Sequence, residues 1–206
     1  MKKTLVVLSV VMGFTILCAC DNHKTNSTTS DVSSSQTELK QKEKAPHEEQ
    51  RLLFNNIQLG NKDNDFQGGT SLEELEKQFG KASSNEQVPA GNVTLDVYYW
   101  NFDNVKMTIQ LYQNSTIAKS FSNFSFNRDQ SITQKDFAKI NIGMTYTQVR
   151  DILAEPDVLS QSVSSDGEQI QAIWVSNLKS NQKASITIKF NNNSLVSKEE
   201  SQLSKT

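Results

Sequence analysis

The chain has 206 residues, a formal net charge of −2, 35% hydrophobic residues, two cysteines and two histidines. Both cysteines lie within the first twenty residues, which leaves the rest of the chain no disulfide framework and no thiolate metal site, and scattered charges of both signs give no basic stripe for nucleic acid. Both histidines, His23 and His47, fall in a polar stretch expected to be unstructured. The folded part is therefore expected to hold no Ser-His-Asp triad, Cys-His dyad or zinc site, and no catalytic residue, metal or cofactor is expected.

At the N-terminus, Lys2 and Lys3 precede a mostly apolar run from Thr4 to Ala19. It is short for a membrane span and suited to a signal peptide. Its end, Leu17-Cys18-Ala19-Cys20, resembles a bacterial lipobox. That resemblance implies a diacylglyceryl thioether on Cys20 and cleavage before it. Cys18 fits less well, because Leu17 rather than a small residue precedes it. Residues 1–19 thus read as a lipoprotein signal peptide, which places the protein on the extracytoplasmic face of a bacterial membrane. Losing Lys2 and Lys3 takes the charge from −2 to −4. Residues 20–50, rich in Ser, Thr, Lys and Glu, cannot bury enough surface to offset their ordering entropy. They read as a tether with a span of roughly 30 Å.

The remainder reads as two copies of one unit, residues 51–128 and 129–206. Each copy opens on Phe-x-x-Ile-x-(Leu/Ile)-Gly, at Phe54, Ile57 and Gly60 and again at Phe137, Ile140 and Gly143. A helix follows in each, over 69–79 and 143–153. Ser71 with Glu74, and Thr145 with Gln148, form matched capping boxes, and Met144 with Val149 forms a hydrophobic staple. Gly80 ends the first helix and Pro156 the second. Strands are expected over 93–100 and 169–175, each ending near a tryptophan. A second pair is expected over 105–112 and 184–191. The third pair begins at Asn114-Ser115 and at Asn193-Ser194. The first copy carries extra residues around 61–68, the second around 177–183. The fold class is therefore α+β: two tandem helix-helix-three-strand antiparallel repeats forming a two-layer sandwich. The residues leave open whether the copies share one sheet.

The run Ile140-x-Ile142-Gly143-Met144-Thr145-x-x-Gln148-Val149-x-x-x-Leu153-x-Glu155-Pro156 resembles the repeat motif of the β-lactamase-inhibitor-like fold, shared with SmpA/OmlA-type outer-membrane assembly lipoproteins. A tandem copy behind a lipobox and a polar tether is most similar to streptococcal-type lipoproteins of unknown function, some of which bear a β-lactamase-inhibitor label. Two departures stand out: Ala154 replaces the usual Gly before Glu-Pro, and the first copy has no Pro after Gly80. The resemblance implies binding of a partner protein rather than catalysis.

Strand alternation separates the two faces of the sheet. Ile170, Ala172 and Trp174, with Ile186, Ile188 and Phe190, should face the helices, as should Tyr98, Trp100, Met107, Ile109 and Leu111. Leu95, Val97, Tyr99 and Tyr112 then fall on the free face, as does Lys189 in the second copy. These five are the candidate partner-binding residues, because clustered apolar and aromatic groups on an exposed sheet mark recognition sites. Packing of the copies together, or a covering loop, would bury them instead. The alternating Phe121, Phe124 and Phe126 read as a segment wedged between copies. Carboxylate pairs such as Asp151 with Glu155 offer a wall-hydrolase alternative, and a solvated helix face accounts for them more simply. A passive spacer or accessory subunit of a membrane complex is the remaining alternative.

Overall fold

A computed structural model describes residues 43–180 and 183–204. The signal peptide, Cys18, Cys20, His23 and residues 20–42 of the tether lie outside the described residues. No described helix is long and apolar enough to cross a membrane.

The first half holds α1 (Glu48–Leu53), α2 (Leu72–Phe79) and strands β1 (Ser84–Ala90), β2 (Val93–Phe102), β3 (Val105–Tyr112) and β4 (Ser115–Ser122). The second holds α3 (Gln134–Ala138), α4 (Tyr146–Leu153), β5 (Val158–Ser164), β6 (Gly167–Trp174), β7 (Ser185–Asn191) and β8 (Ser194–Ser201). Each half thus has four strands, not three. The added ones, β1 and β5, are largely polar in sequence. The eight strands form one antiparallel sheet in chain order. β4 and β5 join the halves, with Ala118 opposite Ser162 and Phe121 opposite Leu159.

The helices cover one face. Leu75, Phe137, Val149 and Leu153 pack with Trp100, Met107, Ile109, Phe121, Ala172, Trp174, Ile188 and Phe190 in a single core that runs through both halves. The expected inward phase is therefore realised in both halves. Burial of this apolar surface is the main force holding the two layers together. Phe124 enters the same core, edge-on to Phe121 and Phe126.

The folded body starts earlier than the sequence suggested. Ala45 is buried and α1 begins at Glu48. His47 caps α1 in a left-handed conformation, and its ring nitrogen sits 2.8 Å from the Asp103 carboxylate. The expectation of a histidine-free body is corrected accordingly.

The duplication extends to individual hydrogen bonds. Both capping boxes form. The Leu72 and Tyr146 N–H groups donate to the Asn114 and Asn193 side chains, each at 3.1 Å. The indole N–H groups of Trp100 and Trp174 donate to the carbonyls of Gly80 and Ala154. The Gly60 and Gly143 N–H groups donate to the Thr116 and Leu195 carbonyls. Lys119 reaches the Phe54 and Ile57 carbonyls, and Lys198 those of Phe137 and Ile140. Each ammonium also lies over a phenyl ring, 4.8 Å from Phe54 and 4.7 Å from Phe137. These lysines satisfy carbonyls left over where a short helix ends.

Candidate functional site

On the helix-free face, the expected apolar patch does not exist. Leu95 and Val97 are 5% and 3% exposed. Leu95 packs with Phe66, Ile117 and Val163, and Tyr112 meets Phe66 edge-on. Phe66 comes from the loop inserted before α2. That loop is clamped to the start of β4, where the Gly69 N–H donates to Ser115 Oγ and Ser115 Oγ donates to the Phe66 carbonyl. Gly60 is required at its base, because a Cβ there would lie 1.9 Å from the Phe66 carbonyl oxygen. At Leu95 and Tyr112 the covering loop is realised, with Val163 of the second half in the same cluster. Tyr99 is half-buried and donates to the Glu86 carboxylate, which raises its pKa, the hydrogen bond being the main cause and burial the next. Lys189 is exposed on β7, five strand spacings or about 24 Å from β2. The five residues do not form one site.

Away from that covered corner, the face is mostly polar, with Val158 and Ile173 paired and half-buried on it. Thr108, Gln110, Ser120, Ser160, Gln171 and Thr187 point outward along neighbouring strands and are half-buried. These hydroxyl and amide groups can donate and accept hydrogen bonds but offer no acid, base or nucleophile of shifted reactivity.

The most polar interior site lies where the halves meet on the other face. Asp157 is fully buried. One carboxylate oxygen accepts from the Phe126 N–H, the Ser176 hydroxyl and Arg128, the last at 3.0 Å. The other accepts from the Val175 and Ser176 N–H groups at 2.7 and 2.9 Å. Arg51 on α1 is also fully buried, and donates to the Pro156 carbonyl, the Asp157 carbonyl and Asn55. Its guanidinium lies within 6 Å of the Phe54, Phe121 and Phe126 ring centres. Burial pulls the Arg51 pKa down, against the opposing pull of Tyr146, Glu155 and Asp157. Burial also pushes the Tyr146 phenol up to about 12, with Glu155 adding to it. Glu155 itself sits 3.7 Å from Arg51 and 3.5 Å from Arg150, while Asp151 stays exposed on α4. The carboxylate pair weighed for hydrolysis is thus divided between a structural ion cluster and solvent.

An open crevice of about 580 Å³ runs between the segment 55–63 and the β5–β6 and β7–β8 turns, lined by Gln58, Asn61, Gln161, Glu168 and Asn192. Lys119 stands at its floor. Burial and then the charge of Arg51 lower its pKa to about 7. Its nitrogen is held by two carbonyls and the residue is 4% exposed, so the amine is not presented to a substrate. Among the described residues no group of His, Cys, Asp and Glu could hold a metal ion.

Residues 46–203 match the family described as a domain of unknown function with solved structure, DUF3862. The chain belongs to the DUF3862 family. It is 43% identical to a protein from Streptococcus mutans described as a "putative beta-lactamase inhibitor protein", whose crystal structure aligns with a TM-score of 0.74. The alignment covers 78% of this chain and 99% of that one. No curated protein matches the chain. The DUF3862 body therefore has the α+β architecture of that protein, few short helices on an eight-stranded antiparallel sheet.

Sequence reasoning missed Arg51, Arg128 and Asp157. Their common signal was position: each lies within a few residues of an expected copy boundary or helix stop.

Proposed function

We propose that this DUF3862 protein is a lipoprotein held through Cys20 on the outer side of a bacterial membrane, whose folded body binds a partner protein on the helix-free face of its sheet and performs no chemistry. The observation that carries this reading is the likeness over 99% of the length of a protein described as a putative beta-lactamase inhibitor. The face supports it. A broad sheet surface lined by Thr108, Gln110, Ser120, Ser160, Gln171 and Thr187 suits a hydrogen-bonded, wet interface of the non-obligate kind. The titratable side chains of the body also support it, since Lys119 is held by two carbonyls and the Tyr146 ring packs edge-on against Phe190.

The test places a photo-crosslinking amino acid at Gln110 or Gln171 in the full chain, in intact cells, with the same group at exposed Glu73 on α2 as control. A partner captured from the face and not from α2 is the expected outcome. Addition of the chain to a β-lactamase hydrolysing a chromogenic cephalosporin then asks whether that partner class is a β-lactamase. Equal capture from both positions, or none from the face, overturns the sheet-face reading. Retention of a Cys20→Ala chain in the membrane fraction overturns the lipid anchor.

A further inference from the structure

The two halves differ at one edge. In the first half, β4 is paired on its far side by β5. Its apolar neighbours Leu59 and Ile117 pack in the cluster that includes Val163 of β5. Their counterparts in the second half are Ile142 and Val196. Among the described residues no strand pairs the far side of β8, and these two residues are 64% and 54% exposed, the most exposed large apolar side chains there. They are neighbours in space, because Gly143 and Leu195, next to them in the chain, share a backbone hydrogen bond of 2.9 Å.

The pairing of β4 with β5 gives the register of a strand that would complete β8. Ala118, Lys119, Ser120 and Phe121 lie opposite Ser162, Gln161, Ser160 and Leu159. The matching positions on β8 are Ser197, Lys198, Glu199 and Glu200. Ser120 and Phe121 are thus replaced by two carboxylates. Both glutamates are exposed, and neither makes an ion pair among the described residues. The edge presents two acids at one end and an uncovered apolar pair at the other.

We propose that the free edge of β8 docks an extended peptide strand, antiparallel, with two consecutive basic residues opposite Glu200 and Glu199 and an apolar residue three positions later over Val196 and Ile142. Backbone pairing supplies affinity in strand addition, and side chains supply choice. The charges also reject the obvious competitors. A second β8 brings two more carboxylates to the same edge. The other free edge, β1, has Asn85 and Glu86 where β5 has Leu159 and Ser160, and Pro89 where β5 has Val163. It supplies neither the bases nor the apolar residue, and its proline withholds a ladder donor.

Fluorescence anisotropy of a labelled peptide containing Arg-Arg-Gln-Ser-Val, titrated with the full chain in mild detergent, tests this. Saturable binding that weakens with salt is expected, with little binding of a Glu-Glu-Gln-Ser-Val control. The double change Glu199→Lys and Glu200→Lys should reverse that preference by about tenfold or more. Ile142→Ser with Val196→Ser should weaken the arginine peptide about tenfold while leaving the charge preference intact. Circular dichroism confirms that these exposed variants are folded. The proposal falls if the arginine peptide fails to bind at millimolar concentration, if charge reversal leaves the preference unchanged, or if sedimentation shows two copies joined through β8. None of these results bears on the sheet-face reading, which uses other residues.

Discussion

Residue for residue, the two halves share a hydrogen-bond skeleton and differ in what seals it. Ser83 and Asp157 occupy the same corner, just before the first strand of each half. Ser83 Oγ accepts the Asn101 N–H, and Asp157 accepts the equivalent Val175 N–H. Asp157 then takes four further donors, including Arg128, which its counterpart does not. Arg51 and Gln134 are matched in the same way. Arg51 has the second half to dock on, whereas Gln134 has no such neighbour among the described residues, and its Oε1 is buried without a partner among them. The shared contacts build a unit. The unshared polar ones, gathered near Glu155-Pro156-Asp157, add to the β4–β5 pairing and the continuous apolar core in binding one unit to the other.

The sharpest test of that division removes the two corners separately. Asp157→Ala strands the Arg128 guanidinium and several N–H groups in the interior, and should cost about 3–5 kcal/mol. Ser83→Ala frees one N–H at an exposed site and should cost about 1 kcal/mol or less. Urea unfolding of the full chain measures both. Similar losses would mean that the corner acts alike in the two halves and that the junction is held by apolar packing alone.

Next in size is the lysine pair. Lys119 is buried beside the second half, and Lys198 lies half-buried at the sheet's end. Lys119→Met leaves two buried carbonyls unpaired and should cost about 2 kcal/mol near pH 9, against about 1 kcal/mol for Lys198→Met. The pH dependence separates them further. With the Lys119 pKa lowered to about 7, the unfolded chain binds a proton that the folded one does not, between about pH 7 and the ordinary lysine value of 10.5. Stability therefore rises with pH in that window, by up to about 1.4 kcal/mol per unit, and the contribution is flat below it. The Lys119→Met chain should lack this rise. If wild-type and variant unfolding curves run parallel from pH 7 to 10, the lysine is not desolvated as the first half implies.

What was legible in the sequence was the part that repeats. Ser71 with Glu74 and Thr145 with Gln148 announced both helix starts, because a cap is a local device with a fixed spacing. The inward phase of the strands followed from two-residue alternation around Trp100 and Trp174. Strands β1 and β5 escaped because Ser84-Asn85-Glu86-Gln87 and Ser160-Gln161-Ser162 carry no apolar alternation. They are strands because a neighbour supplies the ladder. The fate of Leu95 and Val97 depended on Phe66, a single aromatic in a polar insertion. It reaches the sheet through two consecutive positive-φ residues, Asp65 at 49° and Phe66 at 62°. Arg51, Asp157 and His47 were hidden for another reason: each is made structural by a partner on a distant segment, which periodicity cannot report.

The smallest effect tests the comparison most directly, since it asks one half to behave like the other. Gly80 and Ala154 end the two long helices in the same conformation, with φ 78° and ψ −177° for Gly80 and φ 62° and ψ −172° for Ala154. This region is almost restricted to glycine, and a Cβ there costs of order 1–3 kcal/mol. Each carbonyl accepts the indole N–H of the following tryptophan, so the conformation is fixed from outside in both halves. Ala154→Gly should therefore relieve strain. After the entropy that glycine adds to the unfolded chain, a net gain of about 1 kcal/mol is expected. Gly80→Ala should lose a similar amount, because a Cβ there meets no atom within 4 Å and only the backbone conformation resists it. Thermal unfolding of the two single variants and the double exchange would show shifts of opposite sign that nearly cancel. A loss at Ala154→Gly would mean that the methyl group contributes packing beside Glu155 that exceeds the strain, and the two corners would then be alike in shape but not in what holds them.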